Sequence, residues 1–186
     1  MSGPPPGMTL EDAGALFDDA MELVRRGQCG DALRIARELE SCRYTGAWEI
    51  EAAALQEEGD TEGAIASLKR GIAIKPVWRN GHLLGIYLSD AGRYTEALDA
   101  FEASLTMHAP QPKMTAYNKA IVLNRADRRE GALALLGKLT EDEGGEEDRA
   151  TMLARTYLDT LTRGSHSEPA TRRGSRRRTS RPWRHS

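Results

Sequence analysis

Cysteine is scarce, histidine is scattered and long apolar runs are missing, and each shortage closes a class of function. Cys29 and Cys42 are the two cysteines in 186 residues. Near opposite ends of one helix, at about 1.5 Å per residue, they stand roughly 20 Å apart, beyond disulfide reach. Reduced thiols are therefore expected. The four histidines, His82, His108, His166 and His185, are dispersed, and no Cys-x-x-Cys or Cys/His cluster has metal-ligand spacing. No metal and no cofactor is expected. No Gly-rich loop followed by Lys cradles a phosphate. The carboxylates are many but belong to exposed helix faces, and no acid–base pair stands out. No catalytic residue is assigned, and a non-enzyme is expected. No apolar run approaches the roughly 20 residues of a membrane span. Nothing behind Pro4-Pro5-Pro6-Gly7 reads as a secretory signal, which leaves the cytoplasm as the default location. Aromatic residues make up 5% of the chain, and runs of β-branched residues are absent. The core must be built from Ala, Leu and Ile, which points to helices.

The net charge of −2 hides a division. Residues 163–186 hold eight Arg and one Glu, a charge of +7, which leaves −9 for residues 1–162. An acidic body and a basic tail are expected to have separate roles.

What is present is a repeat. Trp48, Ala52, Leu55, Gly59, Ala64, Leu68, Gly71 and Pro76 form one copy, and Gly81, Gly85, Leu88, Gly92, Ala97, Phe101, Ser104 and Pro110 a second. Corresponding residues lie 33 apart, with one extra residue before the final proline. Self-similarity at that period marks a stacked array of helical hairpins. Upstream, Ala20, Leu23, Gly27, Ala32, Ala36 and Leu39 fit a degenerate copy. Downstream, Ala120, Leu123, Ala132, Leu136 and Leu139 fit a fourth, with Asp127 where glycine is usual.

Leu84-Gly85-x-x-Leu88 with Gly92, Ala97, Phe101 and Pro110 resembles the tetratricopeptide repeat, and the other copies extend the resemblance over about 130 residues. It implies an all-α solenoid of about four hairpins plus a C-terminal capping helix. Residues 9–162 are the expected repeat domain, flanked by disordered ends at 1–8 and 163–186. Thr9 is positioned to cap the first helix with Asp12 at its third residue, and Gly27 to end it in a left-handed conformation. Cys29–Cys42, Thr45–Glu58, Asp60–Lys75, Val77–Ala91, Tyr94–Met107, Lys113–Ala126 and Arg129–Thr140 follow. Ala20, Ala52, Gly85 and Ala120 are the small residues where first helices meet their partners, and Ala32, Ala64, Ala97 and Ala132 are their counterparts. Ala150, Leu153, Ala154, Tyr157, Leu158 and Leu161 form the apolar stripe of the capping helix.

The resemblance also implies a concave groove lined by the first helix of each hairpin. Its register places Phe17 and Met21 there, then Glu49 and Ala53, His82 and Ile86, and Tyr117, Ile121 and Asn124. Val24, Gln56 and Ser89 extend these sets, whose steps of four and three keep each on one helix face. Asn118 sits where an asparagine in the family often bonds a peptide backbone. Each residue has a plainer reading as packing between repeats. As a set they suit an extended peptide or an amphipathic helix, so the expected function is a protein-interaction scaffold or adaptor. The positions of a basic clamp for acidic chaperone tails hold Phe17, Met21, Ile50, Arg79 and Leu83. Arg79 alone fits, which argues against such a clamp. The alternative reading is a nucleic-acid-associated adaptor, with Arg172, Arg173, Arg176, Arg177 and Arg178 on phosphates and Trp183 stacking on a base. A non-catalytic subunit of an enzyme complex is a further one.

Overall fold

The computed structural model describes residues 8–107, 112–141 and 148–164. The expectations for the extreme N-terminus, His108, Pro110 and the tail arginines from Arg172 onward lie outside the described residues. Nine helices are described: α1 (Leu10–Arg25), α2 (Cys29–Ser41), α3 (Ala47–Glu57), α4 (Thr61–Ile74), α5 (Trp78–Asp90), α6 (Tyr94–Leu105), α7 (Pro112–Arg125), α8 (Arg129–Thr140) and α9 (Arg149–Gly164). They pair as four hairpins, α1/α2 to α7/α8, and α9 closes the row. The fold is all-α among the described residues.

The helix ends follow from local chemistry. Thr9 and Asp12 form a reciprocal capping box: Asp12 N–H donates to Thr9 Oγ1 (3.1 Å) and Thr9 N–H to Asp12 Oδ2 (2.9 Å). Asp60 caps α4 by accepting from Gly63 N–H at 2.9 Å. Each hairpin turns on one left-handed residue: Gly27 (φ 75°), Gly59 (88°), Gly92 (77°) and Asp127 (58°). The next N–H reaches back five residues to a carbonyl, from Gln28 to Leu23, Asp60 to Leu55, Arg93 to Leu88 and Arg128 to Leu123, at 2.8–2.9 Å. This is one helix-terminating motif used four times. Asp127 takes the place of glycine because a short polar side chain tolerates the left-handed region better than most. A fifth use ends α2, where Arg43 (φ 56°) sits before the Tyr44 N–H to Leu39 O bond of 3.0 Å. Nothing in the residue type of Arg43 announces that turn.

The small residues lie where the repeat placed them. Ala20, Ala52, Ala120, Ala32, Ala64, Ala97 and Ala132 are all 0% exposed, as are Leu68, Phe101 and Leu136. Gly85 is buried, and a Cβ added to it would lie 2.6 Å from Phe101 Cε1. In the preceding hairpin a Cβ on Gly71 would lie 2.8 Å from Trp48 Cγ. Both glycines are needed for close approach of two helices. The buried core divides into three clusters along the array, centred on Ala20, Leu39 and Ile50, then Leu68, Leu88 and Phe101, then Leu136, Ala154 and Leu161. Each hairpin completes its core with its neighbour, the arrangement that makes a solenoid cooperative. α9 covers the last face with Ala150, Ala154 and Leu161 buried, while Arg149, Arg155 and Asp159 are exposed.

Overpacking and relief of a helical glycine should move stability in opposite directions. Gly85→Leu is expected to cost about 1–3 kcal/mol because Phe101 has no space to give. Gly137, inside α8 with nothing within 4 Å of an added Cβ, should gain about 0.5–1 kcal/mol on replacement by Ala. Thermal melts followed by circular dichroism check both, and an unchanged melt for Gly85→Leu would contradict the observed crossing.

Candidate partner-binding surface

The first helices run side by side: α1 contacts α3, α3 contacts α5, α5 contacts α7 and α7 contacts α9. The side chains expected in a groove all belong to this row, but they fall into three groups.

The first group joins three hairpins. Phe17 on α1 is half-buried, edge-on to Tyr44 at 6.2 Å between centroids. The Arg79 guanidinium from α5 stands 5.5 Å from the Phe17 ring centroid, within cation–π range. Arg79 Nε also donates to Glu49 Oε1 at 2.8 Å. Glu49 is 5% exposed, so its expected place in an open groove is corrected: it is a buried carboxylate that holds Arg79. Burial pushes the Glu49 carboxyl above its ordinary pKa, and Arg79 opposes that rise. The two Nη groups of Arg79 have no partner among the described residues, and the side chain is 54% exposed. Met21 and Ala53 are half-buried against the same cluster. Tyr87 lies near the Glu49 and Asp90 carboxylates. Burial first and those charges second push its phenol up to about 12.

The second group is a polar chain between α5 and α7. Asn118 Nδ2 donates to His82 Nε2 at 3.3 Å. The neutral ring then carries its proton on Nδ1 and donates to Thr115 Oγ1 at 2.9 Å. His82 is also edge-on to Phe101 at 5.8 Å and to Trp78 at 6.2 Å. Burial, with Arg79 secondary, lowers its pKa to about 4. Asn118 is 4% exposed, so it meets His82 rather than an open surface; its Oδ1 has no partner. Ile86, on the same helix as His82, is half-buried against the central cluster.

The third group converges on Tyr157 of α9. Tyr117 is edge-on to it at 6.3 Å, and Asn124 Nδ2 donates to its hydroxyl at 3.0 Å. Ile121, between them on α7, is half-buried. Of the extending residues, Val24 is 7% and Ser89 6% exposed, and Gln56 Oε1 is buried without a partner.

Thr115 and Tyr157 carry these contacts, and the sequence reading does not single them out as partners. The signal is nonetheless present, because His82 to Thr115 and Asn124 to Tyr157 are both 33 residues apart. Polar residues one repeat apart on first helices are placed to meet.

Solved structures share this architecture. The nearly identical TPR-like repeats of a Podosopora anserina protein described as a kinesin light chain superpose with a TM-score of 0.66, at 14% identity, over 82% of this chain and 86% of that one. A single-substitution variant of that protein gives the same TM-score and identity. The MamA RS-1 ArsTM double mutant superposes with a TM-score of 0.58, at 18% identity, over 84% of this chain and 97% of that one. The fold is that of a tetratricopeptide-type array. No protein-family model and no curated protein matches the chain. Among the described residues of the tetratricopeptide-type array, no helix is long and apolar enough to cross a membrane. No group of three or more His, Cys, Asp or Glu in them is placed to hold a metal ion.

The buried polar groups make stability depend on pH. His82 is neutral in the fold but protonates in the unfolded chain below its ordinary value of 6.5. The unfolded state therefore binds the extra proton, and stability falls as pH drops from 6.5 toward about 4. The full loss is roughly 3 kcal/mol. Glu49 acts in the opposite sense: its raised folded pKa makes stability fall as pH rises above 4.5 toward that raised value. A His82→Gln variant should thus lose the acid-side decline in melting temperature, and a decline identical to wild type would refute it. Arg79→Ala leaves Glu49 buried without its cation and should cost about 1–3 kcal/mol. Adding Glu49→Gln to that variant should recover much of the loss in a double-mutant cycle.

Proposed function

We propose that this tetratricopeptide-type array is a non-catalytic scaffold that binds a protein partner along its row of first helices. The observation that carries the reading is Arg79. Its guanidinium is held by a buried carboxylate on one helix and an aromatic ring on another, yet keeps two unused donor groups and half its surface exposed. Beside it the first helices offer half-buried apolar side chains, Phe17, Met21, Ala53, Ile86 and Ile121. A few apolar anchors with one oriented cation suit an extended peptide or an amphipathic helix. Tyr117 and Asn124 belong to the same row, while Glu49, His82 and Asn118 support it from beneath.

Affinity capture from nuclease-treated native extract, read by mass spectrometry, tests this with the full chain and a 1–164 truncation in parallel. Both should recover the same few proteins. Ile86→Asp and Phe17→Ala should reduce recovery about tenfold or more, with the helical melt retained. Undiminished recovery in both folded variants would sink the reading. Recovery that needs residues 165–186 and collapses on nuclease digestion would favour the Arg-rich tail instead.

A further inference from the structure

The array also holds a cavity of about 510 Å³ where the end of α2, the start of α3 and the end of α4 meet. Glu40, Arg43, Trp48, Ile74 and Lys75 line it. The wall is preset. Trp48 is 2% exposed and packed so closely on Gly71 that an added Cβ there would lie 2.8 Å from Trp48 Cγ. The indole Nε1–H is enclosed behind this wall, without a hydrogen-bond partner, so the ring's edge and not its N–H borders the cavity. Ile74 is 56% exposed, an apolar side chain left beside the indole. The backbone of Arg43 is fixed by the turn that ends α2, in the left-handed region with its N–H on Glu40 O at 2.9 Å. Among the described residues neither Arg43 nor Lys75 makes an ion pair. Two cations and one carboxylate leave the rim with a single positive charge.

We propose that this cavity binds a monoanion, a carboxylate carried on a small apolar group. The carboxylate meets Arg43 and Lys75, and the apolar part lies against the Trp48 indole and Ile74. The Glu40 carboxylate repels a second negative charge, which disfavours phosphate monoesters. The volume falls within the range of about 300–1,000 Å³ usual for small-ligand sites. The carboxylate can come from a free acid or from the C-terminus of a peptide ending in an apolar residue.

The test is a titration of the full chain followed by the Trp48 indole N–H resonance, assigned by through-bond experiments. The probes are 3-phenylpropionate and the tetrapeptide Gly-Gly-Gly-Leu as free acid, each beside its amide, with phenyl phosphate as dianion. At least one acid should shift the resonance while its amide and phenyl phosphate bind more weakly. Arg43→Gln and Lys75→Gln should each weaken that acid about fivefold, the scale of one surface ion pair, with the melt unchanged. Arg79→Gln should leave it unaffected, which separates this site from the row of first helices. A shift by phenylpropionate alone assigns the site to free acids, and by the peptide alone to a chain terminus. No shift by either acid, equal shifts by acids and amides, or tighter binding of phenyl phosphate would overturn the proposal.

Discussion

The structure rests on the close crossing of two helices inside each hairpin, where one side must be small because the other is large. In the second hairpin Trp48 lies on Gly71; in the third, Phe101 lies on Gly85. These are different positions of the repeat. One period after Trp48 and Gly71 come Gly81 and Ser104, both buried, with an added Cβ at Gly81 only 3.3 Å from Ser104 Cβ. One period before Gly85 and Phe101 come Ala52 and Leu68, both fully buried. Bulk moves between sites while the hairpin geometry is kept. Interiors packed to crystal-like density permit such exchanges only when volume is conserved.

Close crossing brings the first helices into one row, and the row then makes its own polar bonds at the spacing of one repeat. His82 with Thr115 and Asn124 with Tyr157 are two of these. Outside the row, Arg93 and Glu62, 31 residues apart, make a separate 2.9 Å contact between second-helix starts. A buried polar group so paired is costly to break and carries register information. α9 continues the same relation, lying on α7 and α8 as α7 lies on α5 and α6. It occupies the place of the first helix of a fifth hairpin, and its Tyr157 gives α7 the contact that the interior repeats give one another.

The balance of burial and exposure explains why Arg79 stands apart from the other charged groups. Several ion pairs among the described residues join two exposed side chains, as Lys69 with Glu96 does at 3.4 Å, and contribute little. The Arg79–Glu49 pair is asymmetric, with the carboxylate buried and the guanidinium half-open. The buried partner fixes the direction of the fork, and the exposed face remains free for another group. Preorganisation of that kind lowers the cost of binding.

The chain's periodic small residues and turn residues were sufficient to read the fold. Ala20, Ala52, Gly85 and Ala120 set the crossings, and Gly27, Gly59, Gly92 and Asp127 set the turns, because steric access and left-handed backbone depend on residue type at one position. The turn at Arg43 was not legible, since arginine has no preference for that conformation and adopts it here under the packing of Tyr44 and Leu39. The candidate surface was legible only as a set of helix faces. Whether a polar residue on such a face lies open or beneath a neighbour depends on what the next hairpin brings over it. Glu49 is closed over by Arg79, and His82 meets Thr115 and Asn118, while Phe17 and Ile86 keep part of their surface. Local propensity and spacing determined the helices and their order; contacts between repeats, which join residues 30 or more apart, decided which side chains remained for a partner.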